Sequence, residues 1–360
     1  MPSLIALCTI VCARVFRGKI PILITLKEVA ESAGVSVSTA SRVLSGQAAA
    51  YRIGKVTQAA VEQRAKALGF QANALARSLR SKRSGILGLV VPDISNPFFA
   101  AIARQVTTAA NQHGYSVLIA DSCETSTIEQ DSVKQLMARQ AEGLIVCPVG
   151  NVSEHLRAVE SKNVPLVLVD RVFMAESFTT VTSEHASAAK QLTIALIEAG
   201  HRKIAVLQGL PGTLPNTERI EGIQAAFCES GLRWNPQLLV GDNFTEQSGF
   251  EAALAIMKAK PTTTALIALS APQSLGAMKA IQRLGLSLPQ DISLVAFDDH
   301  PFIDHLVCPL TSASQDVERL GETAAAILLE QLRSGKRPAK REHRIPIQVT
   351  HRKSIARVKK

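Results

Sequence analysis

The sequence predicts an α/β protein in two parts: a small all-α helix-turn-helix head with a hinge helix, then a larger core of doubly wound parallel sheets. Three observations predict it. Helical periodicity fills residues 26–68, and from residue 86 onward short apolar runs alternate with helical patterns. The third is charge: residues 1–83 hold 13 Lys+Arg against 3 Asp+Glu, residues 84–332 hold 16 against 26, and residues 333–360 hold 11 against 1. The net +10 therefore hides a basic head on an acidic body, and only part of the molecule is suited to a polyanion.

Composition narrows the classes further. A chain of 360 residues suits two or three domains, and 46% apolar with 19% charged residues excludes a disordered tail-like protein. With 11 Phe, 2 Tyr and 1 Trp, aromatic platforms for stacking single-stranded bases are not expected.

In the head, Thr25-Leu26-Lys27-Glu28 reads as a capping box, Thr25 capping a helix and Glu28 reaching back to it. Leu26, Val29, Ala30 and Ala33 recur at helical spacing until Gly34-Val35 breaks the run. Ser36 then caps a second helix, 37–44, with Ala40, Val43 and Leu44 on one face and Val37, Ser38, Ser41 and Arg42 outward. A third helix is expected over 57–68, with Ala60, Val61, Ala65 and Leu68 inward and Gly69 ending it. Two short helices joined by a glycine turn and backed by a third form a helix-turn-helix, whose second helix suits a DNA major groove. There Arg42 suits a guanine edge or a phosphate, Ser38 and Thr39 suit base or backbone, and Val37 suits a thymine methyl. Any small three-helix bundle satisfies the same periodicity, so the pattern alone does not decide.

The next segment tilts the balance. Residues 73–83 are short, glycine-free and basic, with Leu75, Ala76 and Leu79 on one helical face and Arg77, Arg80, Lys82 and Arg83 available for phosphates. An apolar side chain on such a segment can wedge into a minor groove, although most basic runs are solvated linkers.

In the core, strands are expected at 86–91, 116–120, 144–147, 166–169, 204–207, 265–269 and 293–297. Helices are expected at 98–113, 129–139, 187–199, 219–230, 247–258 and 274–284. Continuous apolar strands linked by helices indicate parallel sheets covered on both faces, and there are strands enough for two. Ligands of open α/β sheets sit at the strands' carboxyl ends. No G-x-G, P-loop, G-x-S-x-G or H-E-x-x-H pattern occurs. The nearest enzyme-like cluster is Asp298-Asp299-His300 with Asp304-His305, which lacks a further ligand at metal spacing. Paired acids ending a strand equally bind hydroxyls, and no catalytic residue, metal or cofactor is expected.

Thr-Leu-Lys-Glu-Val-Ala (25–30), Ala-Gly-Val-Ser-Val-Ser-Thr-Ala-Ser-Arg-Val-Leu (33–44) and Ala-Asn-Ala-Leu-Ala-Arg-Ser-Leu-Arg (72–80) resemble the LacI/GalR family of bacterial transcriptional regulators. The resemblance continues through Val-Val-Pro-Asp-Ile-Ser-Asn-Pro-Phe-Phe (90–99), Gly-His-Arg-Lys-Ile-Ala (200–205), Arg-Ile-Glu-Gly-Ile (219–223), Val-Ala-Phe-Asp-Asp (295–299), Pro-Leu-Thr-Ser (309–312) and Leu-Gly-Glu-Thr-Ala (320–324). It covers about residues 25–354 and implies a periplasmic-binding-protein-like body of two lobes crossed by three strands. Lobe one is then expected at 84–184 with helix 316–333, and lobe two at 185–314 with 335–354.

By matching position the resemblance implies a DNA-contacting set of Thr25, Ser36, Val37, Ser38, Thr39, Ser41, Arg42, Asn73, Ala76, Leu79 and Arg80, with Leu79 inserted at the centre of a palindromic operator. It implies an effector set of Phe98 and Phe244 as apolar walls, Arg219 for an anion or hydroxyl, Asp298 for paired hydroxyls, and Asp170, Ser183 and Gln315. Two departures weaken a plain hexose: Ser183 stands where the family often has Asp or Asn, and Ser270-Ala271 where it has Asn-Asp. The connection 47–54 also departs from the shorter family form. The implied function is a homodimeric regulator, a repressor rather than an activator, that binds double-stranded palindromic DNA under control of a small-molecule effector in the cleft. The rivals are a solute-binding transport protein, which needs an export signal and no head, and a sugar-processing enzyme, which needs a nucleophile or cofactor loop.

Six Cys without any C-x-x-C pair suit free thiols in a reducing compartment. Residues 4–13 are apolar but too short to span a bilayer, and the basic residues follow the run instead of preceding it. Residues 1–24 are expected to be an extension of uncertain status, and the protein cytoplasmic with no membrane association. The tail 355–360 has no leucine heptad, so a dimer is expected in preference to a coiled-coil tetramer.

Overall fold

Alternation along buried strands organises the core. In Ile86–Val91, residues Leu87, Leu89 and Val91 join one apolar cluster while Val90 joins the cluster on the opposite face. Likewise in Ala265–Ala268, Leu266 and Ala268 face one cluster and Ala265 and Ile267 the other. Each sheet is thus apolar on both sides, as helix-covered parallel sheets require.

The computed structural model describes residues 24–70, 83–150, 152–173 and 176–358. The chain divides into two units, 1–84 and 85–360. In the first, α1 (Leu26–Ser32), α2 (Val37–Leu44) and α3 (Lys55–Ala67) close over Val29, Ala30, Ala40, Val43, Ala48, Val61 and Ala65. The capping box forms as expected: Glu28 N donates to Thr25 Oγ1 at 3.3 Å and Thr25 N donates to Glu28 Oε2 at 2.6 Å. Ser36 Oγ accepts from Thr39 N at 3.1 Å and starts α2. The hinge readings Asn73, Ala76, Leu79 and Arg80 lie outside the described residues, as do residues 1–23.

The second unit runs β1 (Ile86–Val91), α4 (Pro97–Gln112), β2 (Ser116–Asp121), α5 (Ser126–Ala138), β3 (Gly143–Val146), α6 (Glu154–Ser161), β4 (Leu166–Val169) and β5 (Thr180–Ser183). It continues with α7 (His185–Glu198), β6 (Ile204–Leu207), α8 (Leu214–Glu229), β7 (Leu239–Val240), α9 (Glu246–Ala259), β8 (Ala265–Ala268), α10 (Ala271–Arg283) and β9 (Ser293–Phe297). It ends with β10 (Thr311–Gln315), α11 (Val317–Ser334), β11 (Glu342–Ile345) and β12 (Ile347–Thr350).

Two six-stranded sheets result, ordered β11-β5-β4-β3-β1-β2 and β12-β10-β9-β8-β6-β7. Every pairing is parallel except β10 with β12. The chain passes between sheets after β5, after β10 and at Pro346. The segment 335–354, assigned from the sequence to lobe two, is therefore shared. Glu342–Ile345 pairs with β5 in the first sheet, and only Ile347–Thr350 completes the second. Pro346 lacks an N–H and separates the two pairings.

The second lobe depends on close helix approach. A Cβ on Gly276 of α10 would lie 2.1 Å from Glu246 O, and one on Gly249 of α9 would lie 2.5 Å from Gln273 Cα. Both obstacles are backbone, so neither can swing aside. Gly276→Ala is expected to cost about 1–3 kcal/mol through overpacking, measured as a lower urea midpoint at unchanged m-value.

Candidate functional site

In the head, α2 carries its apolar residues inward, Ala40 being fully buried, and leaves Val37 45% exposed. Ser38 is also exposed, while Thr39, Ser41 and Arg42 are half-buried. Thr25 and Ser36 serve as caps, and Ser36 Oγ lies 2.8 Å from both Ser38 Oγ and Thr39 Oγ1. The guanidinium of Arg42 stacks over the Tyr51 ring at 3.9 Å. At that distance the cation is attracted by the ring's π face. Tyr51 belongs to the unusual 47–54 connection, and no sequence pattern pairs it with Arg42. The same connection ends at Gly54, which starts α3 without a side-chain cap.

In the body, the carboxyl ends of the two sheets contribute to one cleft. Asn96, Phe98, Phe99, Asp170, Arg171, Pro215, Arg219, Phe244, Ser270, Asp298 and Gln315 line it. Of the effector set expected from the sequence, Phe98, Asp170, Arg219, Phe244, Asp298 and Gln315 come together here. Ser183 does not line it; it is fully buried on β5, where it pairs with Ile345. Asn96, Phe99 and Arg171 were not singled out from the sequence. Asn96 also acts as a helix cap, its Oδ1 accepting from Phe98 N at 3.0 Å.

Asp170 directly follows β4 and Asp298 directly follows β9, and both adopt left-handed backbone with φ of 64° and 66°. Non-glycine residues seldom sit there, although Asp is among those that tolerate it. Asp298 Oδ1 accepts from Gln315 Nε2 at 2.7 Å. Asp170 Oδ1 and Gln315 Oε1 are buried and have no hydrogen-bond partner in the protein. Burial pushes the Asp170 carboxyl up to about 6, against the attraction of Arg219 and Arg171.

Both arginines are buried and held. Arg171 donates to both carboxylate oxygens of Glu124, at 2.6 and 2.7 Å. Burial opposes its charge, but Glu124 keeps its pKa above the ordinary arginine value. Arg219 donates from Nη1 to Leu269 O, and from Nε and Nη2 to His185 Nδ1 at 3.4 and 3.3 Å. Its guanidinium lies 4.2 Å from the centroid of Phe297, and burial lowers its pKa. Burial, reinforced by the Arg219 charge, holds His185 well below the usual histidine range, so its imidazole is neutral.

The Asp299–His305 cluster has a structural role. Arg352 donates to Asp299 Oδ2 at 2.9 Å and to Asp304 Oδ1 at 2.5 Å, leaving Asp298 alone on the cleft. Among the described residues no group of three or more His, Cys, Asp or Glu is arranged to hold a metal. No helix among them is long and apolar enough to cross a membrane.

Comparison with known proteins meets this geometry at both ends of the chain. A family model described as "Bacterial regulatory proteins, lacI family" matches residues 25–73. One described as "Periplasmic binding proteins and sugar binding domain of LacI family" matches residues 84–357. The chain is 32% identical to the ribose operon repressor of Halalkalibacterium halodurans over 310 residues, covering 86% of this chain and 90% of that repressor. It is similar to the crystal structure of a putative ribose operon repressor from Burkholderia thailandensis, with TM-score 0.68 and 31% identity over 74% of this chain and 99% of that one. The lac repressor dimer bound to operator and the anti-inducer ONPF superposes with TM-score 0.82 at 27% identity, covering 92% of this chain and 99% of that one. With a helix-turn-helix head that matches the first model and a two-sheet body that matches the second, the chain belongs to the LacI family of bacterial transcriptional regulators.

Proposed function

We propose that this regulator is a repressor whose effector is a small neutral sugar of the pentose class, bound between Phe98, Phe99 and Phe244 by Asp170, Arg219, Asp298 and Gln315. The observation that carries this reading is the pair of buried acceptors without protein partners, Asp170 Oδ1 and Gln315 Oε1. A buried acceptor of this kind needs a donor, and vicinal hydroxyls supply several at once. The aromatic walls suit the C–H faces of a sugar ring, and Arg171 is already paired with Glu124, so Arg219 facing Asp170 and Asp298 leaves no surplus positive charge for an anion and a neutral ligand fits. Within the sugars, a pentose is favoured by the likeness to the ribose operon repressor.

The DNA part of the reading rests on Val37, Ser38, Thr39, Ser41 and Arg42 along one helix, with the basic segment around Asn73, Ala76, Leu79 and Arg80 beside it in sequence. Two such heads in a cytoplasmic homodimer would engage a palindromic operator. Sugar binding would act on them by favouring one arrangement of the lobes.

Calorimetric titration with D-ribose should show binding, with D-xylose and D-glucose weaker; a protein indifferent to all three would sink the pentose reading. The affinity should also depend on pH. Asp170 carries a raised native pKa of about 6, so the ligand-free protein loses stability as pH rises from about 4 through 6. A sugar that donates to the ionised carboxylate binds better as that proton leaves. D-ribose should therefore bind about tenfold more weakly at pH 5 than at pH 7.5, with proton release near pH 6.

Binding to genomic DNA fragments should fall steeply and log-linearly with salt. Leu79→Ala should weaken selected operator fragments more than random DNA. Equal losses on both would remove the minor-groove role.

A further inference from the structure

Arg219 is the group in the cleft that most needs outside support, because a fully buried guanidinium must satisfy five N–H donors. Leu269 O takes one, and the His185 ring takes two, at 3.4 Å from Nε and 3.3 Å from Nη2. An N–H remains on each terminal nitrogen for a ligand. His185 is fully buried and opens α7 two residues after β5 ends, where the chain first passes between sheets.

The proton on His185 can be placed by chemistry alone. Guanidinium has only donors, so His185 Nδ1 is the acceptor and carries no proton. The neutral ring therefore bears its proton on Nε2, which faces Thr182 Oγ1 at 3.5 Å. Thr182 Oγ1 in turn donates to Asp170 O at 2.9 Å. The direction of every hydrogen bond is thereby fixed: Arg219 to His185, His185 to Thr182, and Thr182 to the backbone of Asp170. One end is the cleft-lining guanidinium of Arg219 on α8, and the other is the backbone carbonyl of Asp170, the residue whose carboxyl lines the cleft at the end of β4.

We propose that His185 is the positioning residue of the effector site: as the Nε2–H tautomer it orients Arg219 toward the ligand and ties it, through Thr182, to Asp170 across the inter-sheet crossover. Effector capture then draws on both sheets through one hydrogen-bonded chain at a point where the backbone passes between them. His185 itself does not line the cleft, so its influence on the ligand runs through Arg219. The proposal rests on the effector reading above only for the choice of probe.

The test uses the full chain as wild type, His185→Leu and His185→Asn. Asn offers Oδ1 where the ring offers Nδ1, whereas Leu fills the space without an acceptor. D-ribose is titrated into each, with melting temperatures in parallel, and the imidazole nitrogens are observed by 15N NMR in ligand-free wild type. Expected are an Nε2–H tautomer at neutral pH, a loss of about tenfold or more in ribose affinity for His185→Leu, and recovery to within about threefold for His185→Asn. A merely structural histidine would show no such recovery. An Nδ1–H tautomer or an imidazolium overturns the proposal, as does ribose binding by His185→Leu equal to wild type. If His185→Leu does not fold, a His185→Asn variant that folds but binds ribose more than tenfold more weakly overturns it equally. If wild type ignores ribose, the pentose reading falls, and the tautomer spectrum decides the His185 assignment on its own.

Discussion

Holding two guanidinium groups and two carboxylates out of water at the meeting of two sheets is the constraint that shapes the core of this protein. A buried charge without partners is too costly to keep, so each one dictates a neighbour. Arg171 dictates Glu124 at 2.6 Å, and Arg219 dictates both the Leu269 carbonyl and the His185 ring. To bring Arg219 on α8 to His185 on α7, the two helices must nearly touch. They do so at Gly222, where a Cβ would lie 2.1 Å from Ala186 O. A polar requirement in the cleft thus fixes a small residue in the helix interface beneath it.

Both sheets meet the cleft in the same way. Asp170 after β4 and Asp298 after β9 turn through left-handed backbone at equivalent strand ends. The turn stops the strand's alternation and presents a carboxylate at the carboxyl edge, where parallel sheets place their ligands. Since such backbone costs on the order of 1 kcal/mol or more per residue, its occurrence at matching points of two sheets marks one functional demand met twice. The surrounding polar groups differ: Gln315 serves Asp298, whereas Asp170 faces Arg219 and Arg171 without a hydrogen-bond partner on Oδ1. That asymmetry leaves the first sheet's carboxylate as the one more dependent on a ligand.

The sequence discloses what local pattern can encode. Runs such as 166–169, 204–207 and 293–297 are apolar on both faces, and their strands match residue for residue. The strands Thr180–Ser183 and Thr311–Gln315 escaped notice because they are polar, although mostly buried. Hydroxyls of the second strand meet a distant group: Thr311 Oγ1 accepts from Arg352 N and Ser312 Oγ from Arg352 Nη1. No periodicity announces a partner 40 residues away. In the cleft, Asp170, Arg219 and Asp298 were legible through their match to the family's motifs. His185 was not, because a histidine at the start of a helix acquires meaning only when the residue 34 positions on arrives beside it.

The two basic segments of the chain part company on the same argument. Among the C-terminal arginines, Arg337 pairs with Glu160, Arg344 with Glu218 and Glu342, and Arg352 with Asp299 and Asp304. Glu218 and Asp299 are largely buried, which shields these pairs from salt more than open surface pairs. Arg344 lies on β11 of the first sheet, and Glu218 on α8, whose neighbours belong to the second. That positive charge therefore fastens the returning chain across the lobes and is neutralised where it stands. In the head, by contrast, the Arg42 guanidinium meets the uncharged face of Tyr51. A contact with an aromatic ring places no opposite charge against the cation, unlike the carboxylates that meet the C-terminal arginines, and that is the form in which charge can answer a phosphate or a base.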